Sequence, residues 1–79
     1  MINVFLADDD EWILNEMTSI IDWRQYGFNI VGQACDGKNA YNLILVNKPD
    51  ILFTDIVMPN LTGLELMDKI GRASYRERV

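Results

Sequence analysis

Short apolar runs alternate with amphipathic stripes along most of the chain. Residues 2–7, 28–34 and 51–53 are rich in apolar side chains and predict three β-strands. The third run has no polar position, which is typical of a strand buried on both faces. After each run, apolar residues recur at the three- and four-residue spacing of an amphipathic helix. The three stripes are Ile13, Met17, Ile20 and Ile21, then Ala40, Leu43 and Ile44, and finally Leu64, Met67 and Ile70.

Polar residues, glycines and prolines mark the ends of these elements. An acidic run, residues 8–11, precedes the first helix, where one aspartate can cap it and the charges suit the helix dipole. Asp36 and Gly37 predict a cap for the second helix, and Pro49 ends it. The order β-α-β-α-β-α with short connections requires crossovers between parallel strands. The chain therefore predicts an α/β doubly wound parallel sheet of about three βα units.

The end of the chain departs from this pattern. A doubly wound unit should continue with a helix C-cap and a fourth apolar strand, and residues 71–79 contain neither. We interpret residues 1–70 as the N-terminal part of an incomplete domain. As a hypothesis, residues 71–79 are an atypical tail of foreign or frame-shifted sequence.

Composition and charge exclude several classes of function. The net charge of −5 argues against a nucleic-acid or anionic membrane surface on this segment. Cys35 is the single cysteine, so an intrachain disulfide is impossible and a reducing compartment is the simpler interpretation. The N-terminus lacks the basic region of a signal peptide, and its apolar run is too short to span a membrane. We expect a cytoplasmic protein.

Acidic residues follow two of the predicted strands: Asp8, Asp9 and Asp10 come after the first, and Asp55 comes after the third. In a sheet with the strand order 2-1-3 these strands are neighbours, so their carboxylates should converge at the carboxyl edge. An acidic run before a helix is most simply a cap, and an aspartate after a strand is often a turn former. Their convergence instead favours a Mg²⁺ site, because Mg²⁺ takes oxygen ligands and relieves the repulsion between carboxylates.

Two segments resemble a known family, the receiver domain of two-component response regulators. They are Phe5-Leu6-Ala7-Asp8-Asp9-Asp10 and Asp55-Ile56-Val57-Met58-Pro59-Asn60-Leu61-Thr62-Gly63-Leu64. The resemblance covers residues 1 to about 70 and implies a flavodoxin-like fold, here truncated. Residues 21–28 further resemble receivers joined to a DNA-binding helix-turn-helix output domain of the AraC type.

The resemblance also implies roles for individual residues. Asp55 would be the phosphoacceptor, Asp9 would bind Mg²⁺ directly, Asp8 would bind it through water, and the Val57 carbonyl would be a further ligand. The domain would take its phosphoryl group from a sensor histidine kinase and control a separate output domain. It would not be an enzyme itself, and this segment would bind neither nucleic acid nor membrane.

Two alternatives remain open on the sequence alone. In the family, a hydroxyl residue after strand four and a lysine after strand five contact the phosphoryl group, and both would lie beyond residue 79. Lys69 cannot replace that lysine, because it falls on the third helix. The chain could therefore be an inert or docking-only fragment without phosphotransfer switching. A phosphatase of the haloacid dehalogenase type is disfavoured, because it needs a second aspartate where this chain has Val57.

Overall fold

The computed structural model describes residues 1–55 and 62–73 of the chain. The strands are β1 (Ile2–Ala7), β2 (Phe28–Ala34) and β3 (Ile51–Thr54). The helices are α1 (Glu11–Ile20), α2 (Gly37–Asn47) and α3 (Gly63–Ala73), and a short 3₁₀ helix (Trp23–Tyr26) follows α1. The predicted order β-α-β-α-β-α is confirmed.

The three strands form a parallel sheet in the order β2-β1-β3, as the sequence predicts. The central strand β1 pairs with both neighbours, and its last residue, Ala7, lies opposite Ala34 on one side and Thr54 on the other. All three strands therefore end at nearly the same height. Whatever follows them in the chain emerges along one edge of the sheet.

Alternate residues of β1 face two separate layers of core. Val4 and Leu6 pack with Leu14 of α1 on one face of the sheet. The other face carries the larger cluster, beneath α2 and α3, and its members are Phe5, Ala7, Ala34, Ala40, Ile44 and Leu66. Helices thus cover both faces, which confirms the doubly wound α/β fold.

Two glycines in and before β2 hold positions that a side chain would disturb. Gly27 ends the 3₁₀ helix with φ of 86°, in the left-handed region that glycine adopts without strain. The register of β1 on β2 shifts between Val4 and Phe5, which is a β-bulge. A Cβ on Gly32 would lie 2.8 Å from the Phe5 ring, so this position packs the central strand closely against β2.

The buried face of α1 differs from the predicted stripe. Leu14 is the buried residue of this helix at 1% exposure, whereas Ile20 is 73% exposed and Ile13 is 38% exposed. The predicted stripe did not include Leu14, whose contact with Val4 and Leu6 decides which side of the helix turns inward. Apolar spacing alone does not distinguish adjacent faces of a helix with apolar residues on several sides.

Strand β3 is only partly buried, so the expectation of a strand buried on both faces is wrong. Phe53 is 46% exposed, and Ile51, Leu52 and Thr54 are half-buried. Within residues 1–55 and 62–73, β3 has one strand neighbour, β1, and lies at the edge of the sheet. An apolar run indicates that a strand tends to be buried, but it does not give the number of strands that flank it in the sheet.

Side chains cap the helices at the N-terminal positions. The Asp10 carboxylate accepts from the backbone N–H of Trp12 at the start of α1, and Asp36 accepts from the N–H of Asn39 in α2. Both caps follow the sequence prediction. At the far end of α2, Lys48 adopts a left-handed conformation before Pro49, which ends the helix.

Helix α3 begins with a capping box that the sequence analysis missed. The N–H of Glu65 donates to the Thr62 hydroxyl, and the N–H of Thr62 donates to the Glu65 carboxylate. These hydrogen bonds from Thr62 lower the pKa of Glu65. The pattern Thr-x-x-Glu before an apolar stripe was the available signal. The helix extends beyond Ile70 to Ala73; residues 74–79 lie outside the described part, and the division at residue 70 stays a prediction.

In the part of the chain that the structure describes, every helix is too short or too polar to cross a membrane.

Removing the cap of α3 should destabilise the protein. We expect Thr62→Ala to lower the free energy of unfolding by about 1 kcal/mol, because the Glu65 N–H loses its acceptor. Thr62→Ser is the matched control and should retain most of the stability, because it keeps the hydroxyl. Urea denaturation of the three proteins tests this, and equal stability of the Ala and Ser variants would contradict it.

Candidate metal site

The hydrogen-bond ladder of the sheet continues one residue beyond two of its strands. The backbone N–H of Asp8 donates to the carbonyl of Ala34 in β2, at 3.1 Å. The N–H of Asp55 donates to the carbonyl of Ala7 in β1, at 2.9 Å. The sheet itself therefore holds the backbone of both aspartates at its carboxyl edge, where doubly wound folds bind ligands.

Three carboxylates meet at this edge. One oxygen from each of Asp8, Asp9 and Asp55 lies within 4.8 Å of the others. None of these side chains is buried, so a solute can reach them. The structure thus brings together three of the four acidic residues that the sequence analysis expected to converge, although 46 positions separate Asp9 from Asp55. Their proposed roles as ligands and phosphoacceptor stay predictions.

The neighbouring Asp10 has a different task. Its carboxylate accepts from the N–H of Trp12 at 3.0 Å and caps α1, and its own N–H donates to Asp8 at 3.0 Å. The two interpretations of the acidic run, a helix cap and a metal site, therefore apply to different residues. Asp10 is the helix cap, while Asp8 and Asp9 face Asp55.

The electrostatics of this cluster oppose ionisation of Asp9. Although the side chain is exposed, loss of surrounding solvent is the largest cause that raises the pKa of Asp9 above its ordinary value. A hydrogen bond with Asp8 and the negative charges of Asp55 and Asp8 raise that pKa further. A bound cation would reverse these effects, because it favours the charged form of each carboxylate.

The donor set fits Mg²⁺. This ion prefers oxygen ligands at about 2.1 Å in an octahedron, so protein ligands lie about 3 to 4.2 Å apart and waters fill the remaining positions. The carboxylate oxygens, all within 4.8 Å of one another, need only a small movement to meet that geometry. Asp8, Asp9 and Asp55 are the residues that would hold the ion. Val57, whose carbonyl was the fourth predicted ligand, lies outside the described residues.

Neither the ammonium group of Lys69 nor the thiol of Cys35 belongs to the acidic cluster. Lys69 is exposed on α3, and its ammonium lies 5.3 Å from the centre of the Tyr41 ring, as expected for a residue that cannot serve the acidic edge. Cys35 is half-buried against the core layer that contains Leu14. Burial and the nearby acids, chiefly Glu11, raise the pKa of the Cys35 thiol, so it stays protonated and unreactive.

An open groove of about 400 Å³ leads away from the acids, between α1 and β3. Ile13 and Met17 line it on the helix side, Phe53 lines it on the strand side, and Leu6 forms part of its floor. The sequence analysis missed this groove, because it assumed that β3 is buried on both faces. A carboxylate in this setting has one solvated side and one side against apolar groups.

Comparisons with known proteins all point to one family. The family model described as the response regulator receiver domain matches residues 4–79. The transcriptional regulatory protein YesN of Bacillus subtilis is 40% identical over 74 residues, which are 94% of this chain and 20% of that protein. The resemblance to receiver domains predicted from the sequence is confirmed.

Two solved structures show the same fold. A two-component transcriptional regulator AraC from Clostridium phytofermentans has a TM-score of 0.80 and 32% identity, covering 91% of this chain and 58% of that one. A chain of the CheX-CheY-BeF₃-Mg²⁺ complex from Borrelia burgdorferi has a TM-score of 0.71 and 32% identity, covering 90% of this chain and 53% of that one. The chain thus spans just over half of these structures, and the predicted similarity to AraC-type regulators is confirmed.

Removing the charge of Asp9 should stabilise the metal-free protein and weaken its binding of Mg²⁺. Because the pKa of Asp9 is raised in the folded state above the ordinary 3.8, its ionisation opposes folding at neutral pH. Asp9→Asn should therefore melt at a higher temperature than the wild type in EDTA. This gain should shrink as the pH falls through the raised folded-state pKa and vanish below 3.8, where the wild-type carboxyl becomes protonated in both states. Affinity for Mg²⁺ should fall at least about tenfold.

Asp10→Asn is the matched control for this measurement. It removes a neighbouring charge but keeps the cap, because asparagine caps helices as well as aspartate does. We expect its Mg²⁺ affinity, followed by calorimetry or by the fluorescence of the exposed Trp12, to stay close to that of the wild type. If Asp10→Asn lost Mg²⁺ binding and Asp9→Asn kept it, the assignment of the two residues would be reversed.

Proposed function

We propose, since this chain belongs to the family of response regulator receiver domains, that Asp55 accepts a phosphoryl group in a Mg²⁺-dependent reaction with a histidine kinase. The observation that carries the proposal is the position of the Asp55 carboxylate. Its oxygen lies within 4.8 Å of oxygens of Asp8 and Asp9, at the exposed carboxyl edge of the sheet. A nucleophile and two cation ligands thus share one site.

The chemistry of the cluster and one relative support the choice of Mg²⁺. All three donors are carboxylate oxygens, the ligand type that Mg²⁺ prefers. The Borrelia complex, which contains CheY, was solved with BeF₃ and Mg²⁺. We assign direct coordination to Asp9, coordination through water to Asp8, and a further ligand to the carbonyl of Val57. When bound, the ion would neutralise the phosphoryl oxygens and the carboxylates around them.

In the reaction, an Asp55 oxygen attacks the phosphorus of the phosphohistidine on the kinase. The P–N bond breaks as the new O–P bond forms, the imidazole keeps the electron pair and gains a proton from solvent, and Asp55 becomes an acyl phosphate. The protein contributes by holding the nucleophile and the cation ligands in position. The hydrogen bond from the Asp55 N–H to Ala7 fixes the backbone beneath the nucleophile, and Asp8 and Asp9 are the residues that would hold the cation.

Access to the nucleophile fits a macromolecular donor. The acids line part of the open groove between α1 and β3, and none of the three is buried. These features support access to Asp55 by a phosphohistidine side chain on another protein. A phosphoryl group adds about two negative charges, which is a large local change that a second domain can detect.

The remaining assignments follow from the same role. We propose that the chain is a phosphoryl acceptor rather than an enzyme with its own turnover, and that it acts in the cytoplasm. The similarity to YesN and to the AraC regulator supports a DNA-binding output domain as the element that it controls. The acidic chain itself, with a net charge of −5, is not expected to contact DNA.

Phosphorylation by a small phosphodonor tests this function. The wild-type protein should gain one phosphoryl group from acetyl phosphate when Mg²⁺ is present and none in EDTA, as measured by intact mass. Asp55→Asn should gain none, because the amide is not a nucleophile. Asp22→Asn is the matched control and should behave as the wild type, because the Asp22 side chain makes no capping hydrogen bond and lies away from the site.

The outcome separates the two functions that the sequence leaves open. Labelling that depends on both Mg²⁺ and Asp55 supports the phosphoacceptor. A folded wild-type protein that binds Mg²⁺ but is never labelled would contradict it and favour the docking-only module. Labelling that persists in Asp55→Asn would move the acceptor to another residue.

A further inference from the structure

The segment 21–28 was selected in the sequence by its resemblance to AraC-type receivers, and the proposed reaction gives it no task. Its central feature in the structure is Trp23, the first residue of the 3₁₀ helix after α1. The side chain is half-buried and packs against the core layer that contains Val4, Leu6 and Leu14. Two of its contacts lead to the elements that adjoin the acidic site, α1 and β3.

The first contact joins Trp23 to α1. Its indole N–H donates to the backbone carbonyl of Met17, at 2.9 Å. Met17 lies in the last turn of α1. The indole therefore fixes the end of the helix whose beginning follows directly after Asp8, Asp9 and Asp10.

The second contact joins Trp23 to β3. The rings of Trp23 and Phe53 lie 5.8 Å apart between centres, inclined at 57°. This is within the range in which aromatic pairs attract each other. Phe53 precedes Asp55 by two residues, so the two side chains emerge on the same side of the strand. Movement of Phe53 along or away from the sheet would carry the Asp55 carboxylate with it.

Between α1 and β3 the structure has the open groove instead of packed side chains. Met17 and Phe53 line this groove on its two sides, and Trp23 contacts both of them. One side chain thus spans the helix that follows Asp8 and Asp9 and the strand that precedes Asp55. Its third contact, between the rings of Trp23 and Phe28 at 6.2 Å, leads to β2, which carries no residue of the cluster.

We propose that Trp23 is a positioning residue for the acidic site: by bridging α1 and β3 it sets the separation between Asp8 and Asp9 on one side and Asp55 on the other. The proposal rests on the proposed function in that Mg²⁺ is the ligand whose affinity reports this separation. Octahedral coordination tolerates little error in ligand position, so a small change in the bridge alters the affinity.

Three single substitutions test the bridge. Trp23→Phe keeps an aromatic ring but loses the hydrogen bond to the Met17 carbonyl, and Phe53→Leu loses the ring contact on β3. Phe28→Leu is the matched control, because it removes the other ring that touches Trp23 on a strand without ligands. The Mg²⁺ dissociation constant is measured by calorimetry on the intact chain, at a temperature where circular dichroism shows each protein folded. Hydrogen exchange of the Asp55 amide is measured in EDTA.

We expect Trp23→Phe and Phe53→Leu each to raise the dissociation constant about 3- to 10-fold. This is less than the roughly 10- to 100-fold effect of removing a direct partner of a metal ligand, because neither side chain touches a ligand. Phe28→Leu should change it less than about twofold. In the double variant of Trp23 and Phe53, the dissociation constant should rise by less than the product of the two single increases, because both residues act through one bridge. The Asp55 amide should exchange faster in both bridge variants, since its hydrogen bond to Ala7 opens more often.

Three results would overturn the proposal. The first is an unchanged affinity and exchange rate in folded Trp23→Phe and Phe53→Leu. The second is an equal effect of all three substitutions, which would mark a general loss of packing. The third is full additivity in the double variant. If Trp23→Phe fails to fold, Phe53→Leu and its control decide the question. If the wild type binds no Mg²⁺, the proposed function fails, while the exchange rates measured in EDTA still decide the role of Trp23.

Discussion

The structure depends on the parallel pairing of β1 with β3 in one register. Ala7 lies opposite Thr54, so the residues that follow these strands leave the sheet side by side. The N–H of Asp55 extends this ladder to the Ala7 carbonyl and fixes the aspartate at that height. A shift by one residue would turn the following side chain to the other face of the sheet and separate the carboxylates.

This arrangement has an electrostatic cost that local structure does not remove. The oxygens of Asp8, Asp9 and Asp55 lie within 4.8 Å of one another, and the pKa of Asp9 is raised because ionisation there is opposed. The helix cap is made by Asp10, so capping does not require the other acids. A cluster that opposes its own ionisation but fits a small divalent cation is the arrangement expected of a binding site rather than of a structural one.

The sequence predicted the frame of the site more accurately than its surroundings. The apolar runs located β1 and β2, and the strand order that brings Asp55 beside Asp8 followed from the rules of doubly wound sheets. Side-chain packing was harder to predict. The inward side of α1 is chosen by Leu14, and the exposure of Phe53 depends on how many strands flank β3. The contact of Trp23 with Phe53 joins residues 30 positions apart, and no local pattern in the sequence encodes such a contact.

The central claim is that acids that follow two separate strands bind one cation. Paramagnetic broadening by Mn²⁺, which takes the same oxygen ligands as Mg²⁺, tests it most directly in amide spectra of the protein. We predict that the signals of Asp8, Asp9 and Asp55 broaden together at the lowest Mn²⁺ concentrations, before those of Asp36 or Asp50. Broadening of Asp8 and Asp9 without Asp55, or of Asp55 without Asp8 and Asp9, would contradict the account.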